Sequence, residues 1–112
     1  MPDLKRRINK TVRFIRSQTA ERPDIAVILG TGLGRLAKEI KGGIRIPYSD
    51  VPHFRTSTVL GHSGELVLGR LAGKHVVAMN GRIHYYEGYT MEEVTFPTRV
   101  MKFLGARTLI VS

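Results

Sequence analysis

The sequence predicts an α/β fold with a mixed central sheet and flanking helices. Three observations carry that expectation. Ile25-Ala26-Val27-Ile28-Leu29 is an unbroken apolar run, the pattern of a strand buried on both faces. Two β-rich runs, Glu65 to Leu71 and His75 to Met79, lie close enough in sequence to form a hairpin. Segments with helical spacing are interleaved with these strands, and such interleaving belongs to α/β architectures.

The elements follow in chain order. Pro2 and Asp3 suit a helix start, and Leu4, Ile8, Val12 and Ile15 then recur at helical spacing, which predicts an amphipathic helix reaching about Ser17. Glu21-Arg22-Pro23-Asp24 is a connection, because a residue before proline resists the helical region. After the first strand, Gly30-Thr31-Gly32-Leu33-Gly34 leads into a short helix over Arg35 to Ile40, which Gly42 and Gly43 break. Ile44 to Pro47 reads as a strand, and Tyr48 to Thr58 as a loop containing Pro52. The polar loop Gly61-His62-Ser63-Gly64 precedes the hairpin, whose turn is expected at Gly73-Lys74. Met91 to Leu104 is helical in character, with Thr90 as N-cap and Glu93 completing a capping box. Pro97 inside it predicts a kink or two shorter helices. Gly105 ends it, and Thr108 to Ser112 is a final, buried-looking strand.

Composition narrows the function. The 112 residues fit one domain, of which residues 1–24 form the first helix and linker and residues 25–112 the start of the α/β core. A chain of this length buries roughly two-thirds of its unfolded surface, enough for one core. With no cysteine, disulfides and thiolate chemistry are excluded. The four histidines, His53, His62, His75 and His84, show neither HxxxH nor HExxH spacing, so no metal is expected. No apolar run approaches the roughly 20 residues of a membrane span, and the first residues lack a secretory h-region. A soluble, cytoplasmic protein is the expectation. The net charge of +9 invites an anionic partner. Six of the 18 basic residues lie in the first helix, where a solvated face is the simpler reading. A basic nucleic-acid or polyanion-binding module stands as an alternative, but no zinc finger, RNP motif or helix-turn-helix supports it.

Three stretches carry candidate chemistry. ILGTGLG follows a buried strand and opens a helix, so Gly30 and Gly32 allow close backbone approach and the local N–H groups attract an anion. The Thr31 hydroxyl adds a donor. No GK[ST] follows, and the third glycine is one position early for GxGxxG, so neither a P-loop nor a dinucleotide fingerprint is present. In GRIHYYEGY, a strand continuing over residues 76–86 would place Arg82, His84 and Tyr86 on one face. Arginine forks two bonds onto phosphate, histidine supplies another, and tyrosine can contact a sugar. Glu87 is the residue expected to orient Arg82. The glycines flanking His62 suggest a loop able to close over a site. Each stretch also has a plain structural reading as a turn, an exposed strand end or a connector.

Taken together, ILGTGLG, VPHFRTSTVLGHSGELVLG, NGRIHYYEGY and EEVTFPTRVMKFLGARTLIVS resemble the purine nucleoside phosphorylases of the homotrimeric class, over residues 25–112 and in order. The sister enzymes acting on methylthioadenosine differ around the arginine-histidine motif and lack its YEGY continuation. The resemblance implies phosphorolysis: phosphate attacks the anomeric carbon of a purine nucleoside, giving base and pentose 1-phosphate. It puts Thr31, Arg82 and His84 at phosphate-binding positions, with Gly30 and Gly32 beside them, and Tyr86 at a ribose contact. His62 borders the phosphate site, and His84 and His62 are the residues it assigns to catalysis. It implies no metal or organic cofactor, only phosphate as co-substrate, and a homotrimer in the full-length family. Members are more than twice this length, with the purine-recognising residues in the later half. The chain is therefore expected to be a truncated N-terminal portion carrying the phosphate site and part of the ribose site. A catalytically inactive phosphate-binding fragment, or half of a split enzyme, is the alternative within this lineage.

Overall fold

The protein was analysed as a computed structural model, which describes residues 2–30, 34–54, 64–81 and 90–111. The elements are α1 (Pro2–Gln18), β1 (Ile25–Leu29), α2 (Gly34–Lys38), β2 (Lys41–Pro47), a 3₁₀ turn (Tyr48–Asp50), β3 (Glu65–Leu71), β4 (Lys74–Asn80), α3 (Met91–Phe103) and β5 (Thr108–Val111). The five strands form one sheet in the order β2-β3-β4-β1-β5. β1 is parallel to both β4 and β5, while β2–β3 and β3–β4 are antiparallel. The expected mixed α/β sheet is the observed one.

Side-chain alternation along the strands sorts the core onto two faces. Ala26, Leu66, Leu68, Val77 and Met79 pack with Ile8, Val12 and Ile15 of α1, with Phe96, Val100 and Met101 of α3, and with Leu104 just beyond it. Val27, Leu29, Val67, Val76 and Ala78 pack on the other face against Ala37 of α2 and Ile40. The helices α1 and α3 run parallel, pinned at both ends. Arg7 meets Glu92 at 2.6 Å, and Arg16 donates to the Phe103 carbonyl at 3.3 Å. Buried Thr11 lies on the same side, its hydroxyl 2.8 Å from the Pro52 carbonyl and 2.9 Å from that of Arg7. Lys5, Arg6, Lys10, Arg13 and Arg16 are exposed on the solvent side of α1. Much of the basic charge is thus a solvated helix face.

The structure corrects the sequence-derived elements at four places. Gly42 and Gly43 do not precede β2 but lie within it: the register passes from Lys41↔Arg70 to Ile44↔Leu68, so two residues oppose Gly69 in a β-bulge. A Cβ on Gly43 would sit 1.5 Å from the Leu68 carbonyl oxygen, which explains the glycine. The hairpin turn is Ala72-Gly73, one residue earlier than expected. Both residues have positive φ, 52° and 79°, as a two-residue type I′ turn demands, and Lys74 already pairs with Leu71. A single helix, α3, runs through Pro97 rather than dividing there. β4 ends at Asn80 and Gly81 follows it with φ 116°; residues 82–86 of the strand expected over 76–86 lie outside the described residues. Finally, β5 is exposed on both faces, with Leu109, Ile110 and Val111 at 45, 49 and 55%. Its apolar sequence reads as buried, but β5 is the edge of the sheet and neither helical layer covers it.

Two substitutions test this description by urea denaturation. Ala72→Asn places a residue that tolerates the left-handed region at an exposed turn position, and is expected to stabilise the chain by about 0.5–1 kcal/mol. Gly43→Ala forces the bulge apart and is expected to cost about 2–3 kcal/mol; a neutral result would contradict the bulge geometry.

Candidate functional site

The three glycine-rich stretches meet the sheet at one end. Strand register places Pro47, Glu65, Asn80 and Leu29 in a single row across β2, β3, β4 and β1. The next residues beyond that row are Tyr48, Gly64, Gly81 and Gly30. With neighbouring strands about 4.8 Å apart, Gly64, Gly81 and Gly30 emerge within about 10 Å of one another. This end is the carboxyl end of the parallel strands β4 and β1, where open α/β sheets place their ligand crevices.

The row is braced on both faces. On the α2 face, Glu65 Oε2 accepts from Arg45 Nη1 at 2.9 Å and from Asn80 Nδ2 at 3.1 Å. Arg45 also donates through Nη2 to the Ala37 carbonyl in α2 at 2.7 Å. The guanidinium therefore joins the helix that follows the glycine loop to the strand that follows the histidine loop. Asn80 extends the link, because its Oδ1 lies 3.9 Å from where a Cβ on Gly34 would be. Charge-assisted bonds of this kind are short and directional.

On the opposite face lies Tyr48, 2% exposed and packed against Phe54 at a ring-centroid distance of 5.7 Å. Its backbone N–H donates to the Gly64 carbonyl at 3.0 Å, and its phenolic O–H donates to the Gly81 carbonyl. The ring occupies the space a side chain at position 64 would need: a Cβ there would fall 2.3 Å from Tyr48 Cε2. Burial, reinforced by the Glu65 charge, pushes the phenol well above its ordinary value of 10.0. The hydroxyl is accordingly a neutral donor at any physiological pH.

Of the residues singled out in the sequence, Gly30 is described, half-buried and directly beyond β1. Thr31, Gly32, His62, Arg82, His84 and Tyr86 lie outside the described residues, as does Glu87. What the structure brings together is therefore the set of points from which their segments depart. His75 stands at the far end of β4, paired with Glu21 at 3.0 Å. His53 packs edge-on against Phe96 at 6.3 Å, its imidazole pushed down by partial burial and by Lys10 and Arg7. Sequence reasoning missed Tyr48, Arg45, Glu65 and Asn80. Their signal was available only in part: Glu65 and Asn80 are polar end residues of strands next to glycine stretches, whereas Arg45 lies inside β2 and Tyr48 just beyond it.

Among the described residues there is no group of His, Asp or Glu arranged to hold a metal ion, and no helix long and apolar enough to cross a membrane. Residues 24–112 match the sequence family described as the phosphorylase superfamily. Purine nucleoside phosphorylase 1 of Bacillus subtilis is 54% identical over 109 residues, which cover 97% of this chain and 40% of that protein. The purine nucleoside phosphorylase of Rattus norvegicus is 47% identical over 103 residues, covering 92% of this chain and 36% of the relative. Among solved structures, the Schistosoma mansoni enzyme in complex with acetate superposes with a TM-score of 0.88 at 45% identity, over 95% of this chain and 39% of that one. Isoform 2 from the same organism, in complex with cytosine and ribose-1-phosphate, gives 0.89 at 44% identity, over 95% of this chain and 37% of that one. The chain thus spans about 40% of the length of these relatives. Its matched core, its sheet and the glycine-marked end of that sheet make it a member of the phosphorylase superfamily, similar throughout to the purine nucleoside phosphorylases.

Proposed function

We propose that this chain supplies the phosphate site and part of the ribose site for phosphorolysis of purine nucleosides. One observation carries the reading: the register row that brings Gly30 at the start of GTGLG, Gly64 at the end of GHSG and Gly81 at the start of GRIHYYEGY side by side at the carboxyl end of β1 and β4. Similarity to the purine nucleoside phosphorylases, including one solved with ribose-1-phosphate, supports it.

In the proposed reaction, the bond between the anomeric carbon and the purine nitrogen breaks, and its electron pair leaves with the base, which takes up a proton. A phosphate oxygen forms the new bond to the same carbon. The sugar passes through an oxocarbenium-like state, so a dianion held against it both stabilises the charge and is placed to attack. The holder must bind phosphate without capturing its nucleophilic oxygen. In this reading, backbone amides beside Gly30 and Gly32, the Thr31 hydroxyl, Arg82 and His84 share that work. Tyr86 contacts the ribose, and His62 borders the phosphate. Phosphate is a co-substrate, and the chemistry needs no organic cofactor. The resemblance to the full-length family implies a homotrimer.

Isothermal titration with inorganic phosphate tests the site directly. Saturable binding is expected, weakened at least tenfold in Arg82→Ala, about 1.4 kcal/mol. A wild-type chain that binds no phosphate would overturn the reading. In a coupled assay with inosine and phosphate, the 112 residues alone are expected to show little or no turnover; rates like those of ordinary nucleoside phosphorylases would refute the division of the site proposed here.

A further inference from the structure

Tyr48 belongs to none of the glycine stretches, yet it touches the ends of two of them. Its N–H holds the Gly64 carbonyl at 3.0 Å and its O–H holds the Gly81 carbonyl, while its ring fills the space above Gly64. Tyr48 is itself held. The Val51 N–H bonds to its carbonyl at 3.1 Å, and Phe54 packs tilted against its ring and, at 6.1 Å, edge-on against Phe96 of α3. Neither glycine has a side chain with which to anchor its own position. Gly81 also sits at φ 116°, outside the ladder, so strand pairing no longer fixes it. Among the described residues, the phenol is a side-chain contact that holds the chain where it leaves β4.

We infer that Tyr48 is a positioning residue for the phosphate site, a clamp that sets the departure points of the segments carrying His62 and carrying Arg82 and His84 relative to each other. This rests on the phosphate reading above. A bidentate arginine contact depends on placement to a fraction of an ångström, so a carbonyl released at Gly81 would be felt at Arg82, one residue on.

The test is Tyr48→Phe, which keeps the ring, its packing on Phe54 and its fit over Gly64, and removes only the hydroxyl. Phosphate affinity is expected to fall about tenfold, and amide exchange in peptides spanning residues 81–89 to accelerate at least fivefold. Exchange across β3 and the rest of β4 should stay as in wild type. Ile15→Val, which trims the buried face of α1, is the control for stability loss alone. It should lower the thermal midpoint while leaving phosphate affinity and exchange over residues 81–89 unchanged. If Tyr48→Phe behaves like Ile15→Val, the clamp is overturned. If the wild-type chain binds no phosphate, the functional reading falls, and exchange over residues 81–89 alone decides for or against the clamp.

Discussion

The parallel pairing of β1 with β4 is the constraint on which the rest of the molecule depends. These strands are distant in sequence, and bringing them together costs loop-closure entropy before any contact is gained. A parallel pair also forbids a tight turn, so the chain must travel through β2, β3 and the hairpin before β4 can be laid beside β1. What offsets the cost is burial on both faces. Val76, Val77, Ala78 and Met79 are 3, 0, 1 and 4% exposed, and Ala26, Val27 and Leu29 opposite them are no more than 7%. Once Leu29 is locked beside Asn80, Gly30 and Gly81 must leave the sheet as neighbours. The convergence of the glycine stretches is a consequence of register, and a one-residue slip would also turn every core side chain to the wrong face.

Register alone places backbone; it does not stiffen the residues just beyond the ladder. That task falls to polar side chains at the margin of an apolar core. Arg45, Glu65 and Asn80 form one connected set on the α2 face, and Tyr48 works from the opposite face. Neither group is isolated in hydrocarbon: Arg45 and Glu65 keep 40 and 32% side-chain exposure, and the Tyr48 hydroxyl has a carbonyl acceptor. Exposed ion pairs contribute little to stability. The value of this set is directional, tying α2, β2, β3 and β4 to a common origin at the end where the sequence concentrates its chemistry.

The sheet was legible because its cause is local. An apolar run such as Ile25 to Leu29, or Leu66 to Leu68, states its own burial. The glycine at position 43 was not legible, because what forbids a side chain there is the Leu68 carbonyl of another strand. The same reason hid the positive φ of Ala72, a residue with no intrinsic preference for a turn, which the register of the hairpin imposes. For the candidate site, sequence motifs named Gly30 and the segments around it, and the structure shows Gly30, Gly64 and Gly81 side by side. Tyr48 was read as loop because its significance lies in two carbonyls, those of residues 64 and 81, that no local pattern could associate with it.

β5 shows where the local rule fails. Thr108 to Val111 has the composition of a central strand, and it pairs with β1 over four residues. Yet Leu109, Ile110 and Val111 are about half exposed. Burial is supplied by neighbours, and among the described residues β5 has a neighbour on one side only. Nothing in it blunts an edge: it contains no lysine, no proline and no bulge. An apolar strand with one free row of backbone donors and acceptors favours another strand beside it, whereas β2, at the opposite edge, carries Lys41, two glycines, a bulge and Pro47. The two edges of one sheet are thus chemically unlike. β2 is built to end the sheet, and β5 has the chemistry of a strand that a sheet encloses.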